Sequence, residues 1–232
     1  MENIKYSLVN EKHVRAYVSF GEYTTPVWAQ QTWEDSEGEF SVYVRNNGCG
    51  HCCACMALKL NGIDEFEGIG EVNPYNEYLL CRKLWGAPDE IGLNGRMRQH
   101  HWQSLAGITK ILRHHGLKAE YTGIPVGGID AAAEALVAAL KEDKLVIFCS
   151  HKTARMPDNP FSDGAHWVMA VGFSESGKIV VANSSIKKYP YGIHEVDLET
   201  IAGALWENSN PIDSTWGLPG RNDAIAGYVI VG

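Results

Sequence analysis

The chain opens on short apolar stretches. IKYSLV (4–9), VRAYVSF (14–20) and FSVYV (40–44) are rich in β-branched and aromatic residues, and the last alternates with the period of a half-buried strand. Between the second and third lies TTPVWAQQTWEDSEGE, a polar and aromatic stretch that reads as a loop. At residue 49 the period changes. Cys49, Cys52, Cys53, Met56, Ala57 and Leu60 fall at i, i+3, i+4, i+7, i+8 and i+11, one helical stripe with Lys59 and Asn61 off it. Gly62 suits the position just past that helix.

A second helix is expected from the cap Asn73 and Pro74 through YNEYLLCRKLW to Gly86. A third runs from about Gln103 to His115, with Leu105, Ile108, Leu112 and His115 on one face. A fourth begins at Asp130 and buries Ala132, Ala135, Leu136, Ala139 and Leu140. Strands then dominate. LVIFCS (145–150) reads as buried, and AHWVMAVGF (165–173) with KIVVANSS (178–185) forms a hairpin about SESG. A helix at 197–206 and a strand at 224–231 close the chain. Helices gather first and strands later, which is an α+β order and not the βαβ alternation of a parallel sheet. With no repeat or linker, one domain is expected: 1–44 strands and loop, 45–143 helical, 144–232 an antiparallel sheet.

Composition narrows the partners. The 232 residues carry a net charge of −8, with 45% apolar and 21% charged positions. An acidic chain without a Lys/Arg run is a poor fit to nucleic acid or an anionic membrane surface. MENIKYSLVNEKHVRAY contains no signal-length apolar core, so a cytoplasmic location is expected. Six cysteines are too few for a disulfide scaffold in a chain of this length.

The chemistry concentrates in NNGCGHCCAC (46–55), where four cysteines and a histidine fall within seven residues. Cys49-Gly-His-Cys52 has the spacing of a redox dithiol, but the parallel βαβ units of a thioredoxin are missing around it. Cys49, His51 and Cys52 are conceivable metal ligands, but no second CxxC completes a tetrahedral set, and no metal or cofactor is expected. The helical period offers a third reading: Cys52 and Cys53 are core residues, and Cys49 alone sits at the helix tip. There the unpaired N–H groups and the helix dipole favour a thiolate.

A thiolate nucleophile needs an imidazole base and a group to orient it. Of nine histidines, His166 opens the apolar strand WVMAVGF, where a polar side chain needs partners. The hairpin sets Asn183 opposite it within a residue or two, on the same face. Asn183 either orients His166 or merely starts the turn at NSS. His13, His51, His100, His101, His114, His115, His151 and His194 read as structural.

These residues resemble the papain-like cysteine peptidases, and most of all the branch around the bacteriocin-leader (double-glycine) peptidases. GCGHCCACMAL is similar to that branch's Gly-Cys-Gly-Pro-Thr/Ser helix start, GAHWVMAVGF to its Gly-His strand, and SGKIVVANSS to its Gly-Lys strand ending in Asn or Asp. The likeness spans about 45–206. It implies a papain-like α+β fold with Cys49 as nucleophile, His166 as base and later acid, and Asn183 as orienting residue. It also implies hydrolysis of a peptide or amide substrate through an acyl-enzyme. The same triad serves acyltransferases, and a non-catalytic papain-like binding protein is the rival from another class. His51 replaces the usual Pro, and Tyr43 stands where the family's oxyanion glutamine is expected. Asn47, Asn46 or a glutamine of AQQ would then supply that donor, with Asn47 favoured on closeness. Arg155, in the loop before His166, and Trp167 are candidate substrate contacts. Trp28 and Trp33 are expected to fill the core.

Overall fold

A computed structural model describes residues 3–32, 48–85, 104–186, 191–207 and 226–232. The expected strand at 40–44, Trp33, Tyr43, Asn46, Asn47, His100 and His101 lie outside them. The described chain is α+β.

Strands β1 (Lys5–Leu8), β2 (Val14–Phe20) and β3 (Tyr23–Trp28) form a three-stranded antiparallel sheet in that order. The stretch expected to be a loop, TTPVW, is thus a strand. Its pattern is the ordinary one: Thr25 and Val27 point inward and are wholly buried. Pro26 misdirects the reading, yet proline is at home in an edge strand, where a ladder hydrogen bond need not be lost.

Helix α1 (Cys49–Lys59) follows the cap Gly48. It is more deeply placed than its stripe suggests, since every residue from Cys49 to Leu58 is buried, His51 and Cys55 included. Helices α2 (Pro74–Trp85) and α3 (Leu105–His114), strand β3 and the main sheet enclose it. A helix surrounded on all sides loses the polar face that an amphipathic pattern would require. The two-residue strands β4 (Glu65–Phe66) and β5 (Gly70–Glu71) pair between α1 and α2. Asn73 caps α2 as expected, its Oδ1 accepting the N–H of Tyr75 and of Asn76 at 3.0 and 2.9 Å.

Six further strands build the main sheet: β6 (Ala119–Gly123), β7 (Leu145–Ser150), β8 (His166–Phe173), β9 (Ile179–Ala182), β10 (Ile193–Val196) and β11 (Gly227–Val231). Their order is β10-β9-β8-β7-β11-β6, antiparallel throughout. The span 45–143 is therefore not wholly helical, because β6 belongs to this sheet. Both edge strands escape the sequence reading for one reason: AEYTG and IHEV are short and polar, as exposed edges tend to be.

The central strands bury both faces. Trp167, Met169 and Val171 point to the core that contains α1. Val168 and Ala170 point to a second core under α4 (Ile129–Lys141) and α5 (Leu198–Ala204). No described helix is long and apolar enough to cross a membrane.

Candidate active site

Cys49 is the first residue of α1 and is 8% exposed. The backbone N–H groups of Trp167, Gly50 and Cys49 itself turn toward its sulfur and favour the thiolate. Burial outweighs them and pushes the thiol up to about 11. The helix tip favours the thiolate, as expected, but removing the sulfur from water costs the anion more than the local dipoles return.

The Trp167 amide links the nucleophile candidate to the base candidate, because Trp167 follows His166 at the start of β8. His166 is buried and its Nε2–H donates to Asn183 Oδ1 at 2.8 Å. The register explains the meeting. Met169 faces Ala182, so Asn183 lies on the diagonal from His166 and on the same face. Nε2 being the donor, Nδ1 carries the lone pair. The His166–Asn183 pair and the Trp167 amide that faces the Cys49 sulfur thus lie at one end of β8.

Asn183 does more than start a turn. Its Oδ1 also accepts the Ser185 N–H at 2.8 Å, and its Nδ2 donates to Phe161 O and to His194 Nε2, both at 3.1 Å. The Ser185 N–H can only donate and the Phe161 carbonyl can only accept, so together they fix which end of the amide is oxygen. His194, read from the sequence as structural, is an acceptor behind the site. It is buried, and burial first and His166 second lower its pKa to about 4, so it stays neutral. Its strand β10 is hard to read in sequence. Once β10 is paired with β9, His194 faces Val181 and shares a face with Asn183.

The AQQ stretch borders the same end of the sheet. Gln30 N–H donates to Ser184 O at 2.9 Å, Ser184 Oγ donates to Gln30 Oε1 at 3.3 Å, and Ile186 N–H donates to Gln31 Oε1 at 2.9 Å. The Ser184 side chain also bonds the Cys52 thiol, within a turn of Cys49. Asn47, the favoured oxyanion donor, lies outside the described residues.

The two expected substrate contacts are both engaged within the chain. Arg155 Nη1 donates to Asp130 Oδ1 at 2.7 Å and lines a cleft of about 780 Å³ between α4 and α5 with Met156 and Asp197. The loop before His166 thus divides its contacts, Arg155 pairing with α4 while Phe161 meets Asn183. The Trp167 ring is 3% exposed and packs in the first core, so this residue offers the site its amide and not its indole. Trp28 is buried, as core filling requires.

The remaining thiols are free and buried. Cys53 and Cys149 both sit close enough to Cys49 for a charge there to raise their own pKa values, after the larger effect of burial. His51 is wholly buried, and its Nδ1–H donates to Glu77 Oε2. Comparison of the chain with protein-family models and with curated proteins finds no match.

Proposed function

We propose that this chain is a cysteine-dependent hydrolase of a peptide or amide bond with a papain-like arrangement of helix and sheet. One observation carries the reading: the Asn183 oxygen holds His166 Nε2–H at the end of the strand whose Trp167 amide faces the Cys49 sulfur. The residue types support it as well: a thiol at 49, an imidazole at 166 and an amide at 183 are the set a thiol hydrolase demands.

Burial raises the Cys49 thiol, and in this reading His166 is the general base that takes its proton. Nδ1 takes the thiol proton as Sγ attacks the carbonyl carbon. The oxyanion is stabilised by the Cys49 backbone N–H, with a side-chain donor from the AQQ stretch beside Ser184. His166 returns its proton to the leaving amine, and a thioester remains. Water then attacks, His166 takes the water's proton, and the carboxylic product leaves as Cys49 regains its hydrogen. An amine in place of water would make the same site an acyltransferase. A binding protein that keeps the frame is the reading favoured by the raised Cys49 pKa taken alone.

Alkylation with iodoacetamide separates the enzyme from the binder. Cys49 should label before the other five cysteines, with a rate that climbs with pH above about 8 and falls at least tenfold in His166→Ala. Cys49→Ala should abolish hydrolysis of peptide-amide libraries. Uniform slow labelling of all six thiols, indifferent to His166, sinks the hydrolase reading.

A further inference from the structure

A second cluster of reactive side chains lies behind α1, and the proposed hydrolysis uses none of it. His51 and Cys55 stand one turn apart on α1, and Glu77 and Cys81 stand one turn apart on α2. In each helix an i, i+4 pair shares a face. The two helices pack together, and one atom each of His51, Glu77 and Cys81 lies within 4.8 Å of the others. All four residues are wholly buried.

We propose that His51, Glu77 and Cys81 form a buried three-ligand site for a divalent transition cation, zinc by its ligand chemistry, with the fourth position open to a small ligand. The placement is independent of whether Cys49 is a nucleophile.

The strongest argument is geometry. Glu77 accepts from His51 Nδ1–H and, at 3.0 Å, from the Cys81 thiol. These three groups, shielded from solvent, meet within the reach of one cation. The ligand set would be one imidazole nitrogen, one carboxylate oxygen and one thiolate. That mixture suits zinc and excludes magnesium or calcium, which take oxygen.

Binding balances simply. The cation forms bonds to Nδ1, a Glu77 oxygen and sulfur. The His51 proton moves to Nε2, and the ligating thiol releases its proton to solvent. The rival is a proton-sharing polar cluster that never takes a metal.

Cobalt distinguishes them. Chelator-stripped full chain titrated with Co²⁺ should bind one ion per chain, with thiolate-to-cobalt charge-transfer absorption and tetrahedral d–d bands, and Zn²⁺ should displace it. Cys81→Ser should lose the charge-transfer intensity or weaken binding at least about tenfold, since even an outer partner of a ligand costs that much. Glu77→Gln, nearly isosteric, should weaken binding to a similar degree if the serine variant does not fold. Cys49→Ser should bind as the parent does. Failure of the parent chain to bind Co²⁺ stoichiometrically overturns the site, as does binding unchanged in both Cys81→Ser and Glu77→Gln. Loss of binding in Cys49→Ser would move the metal to the helix tip and overturn it too.

Discussion

Asn183 spends every hydrogen-bonding capacity it has, and its neighbour His194 decides whether it can. Neutral His194 accepts from Asn183 Nδ2, whereas imidazolium would present a donor to a donor. The folded pKa of about 4 lies below the ordinary 6.5, so the associated stability is present above pH 6.5 and is lost as pH falls toward 4. Complete titration would cost on the order of 3 kcal/mol. Half-buried His115, also held low by burial, adds to the same acid limb. His194→Gln keeps an amide oxygen for Asn183 and cannot titrate. Urea melts at pH 7 and pH 4.5 should therefore show a smaller acid loss in His194→Gln than in the parent. An equal loss would mean that His194 is already free to charge in the folded chain. The same step should lower the alkylation rate of Cys49 in the parent below pH 5, because a reoriented Asn183 no longer holds the Nε2–H of His166.

Helix α1 shows at the scale of an element what the sequence reveals and what it hides. Its start at Cys49 and its end before Gly62 are both legible, because a turn sequence precedes it and a glycine follows. Gly62 has φ +76, and a Cβ there would lie 2.8 Å from the Tyr23 ring of β3. Gly62→Ala should therefore cost more than the ~1–2 kcal/mol of a left-handed alanine alone, read as a lower midpoint in denaturant at unchanged slope. A loss below 0.5 kcal/mol, on the order of an ordinary surface change, would show that the helix end and Tyr23 relax together. The depth of the helix was not legible. The stripe of cysteines, Met56 and Ala57 predicts one buried face, but His51, Ala54 and Cys55 are buried as well. Periodicity registers which side of a helix faces a first neighbour. It carries no trace of the second neighbour, α2, whose Glu77 and Cys81 give His51 a polar partner inside the core. The strong hairpin β8–β9 could be read to within a residue, with Asn183 on the face of His166. The polar edges β6 and β10 could not, since short exposed strands look like loops until a neighbour pairs with them. The partner of Arg155 was equally hidden, since one loop carries Phe161 to Asn183 and Arg155 to Asp130.

Across the whole molecule one sheet divides two cores with different duties. The core of α1 holds Met56, Leu58 and Trp167 and also fixes the Cys49 sulfur against β8. The core of α4 and α5 holds Leu136, Phe148 and Ile201 and lies behind the strands. Phe161 is the point where this second core reaches the site, through its carbonyl to Asn183 and its ring at 5.0 Å from His194. A cavity in either core should cost ~2–5 kcal/mol, because Met56 and Leu136 are both wholly buried. The consequences for chemistry should differ. Leu136→Ala removes packing distant from the sulfur, so well below its lowered Tm the relative labelling rate of Cys49 should match the parent. Met56→Ala lies two turns along the helix that carries Cys49, and a shift of that helix changes both the burial of the sulfur and its alignment with the Trp167 amide. Its Cys49 rate should change at least severalfold at the same fraction folded. The two losses of stability, separated by the sheet, should add to within about 0.5 kcal/mol in the double variant. If Leu136→Ala disturbs Cys49 as much as Met56→Ala does, the sheet transmits strain between its faces, and the site depends on the whole body instead of on one helix seated against one strand.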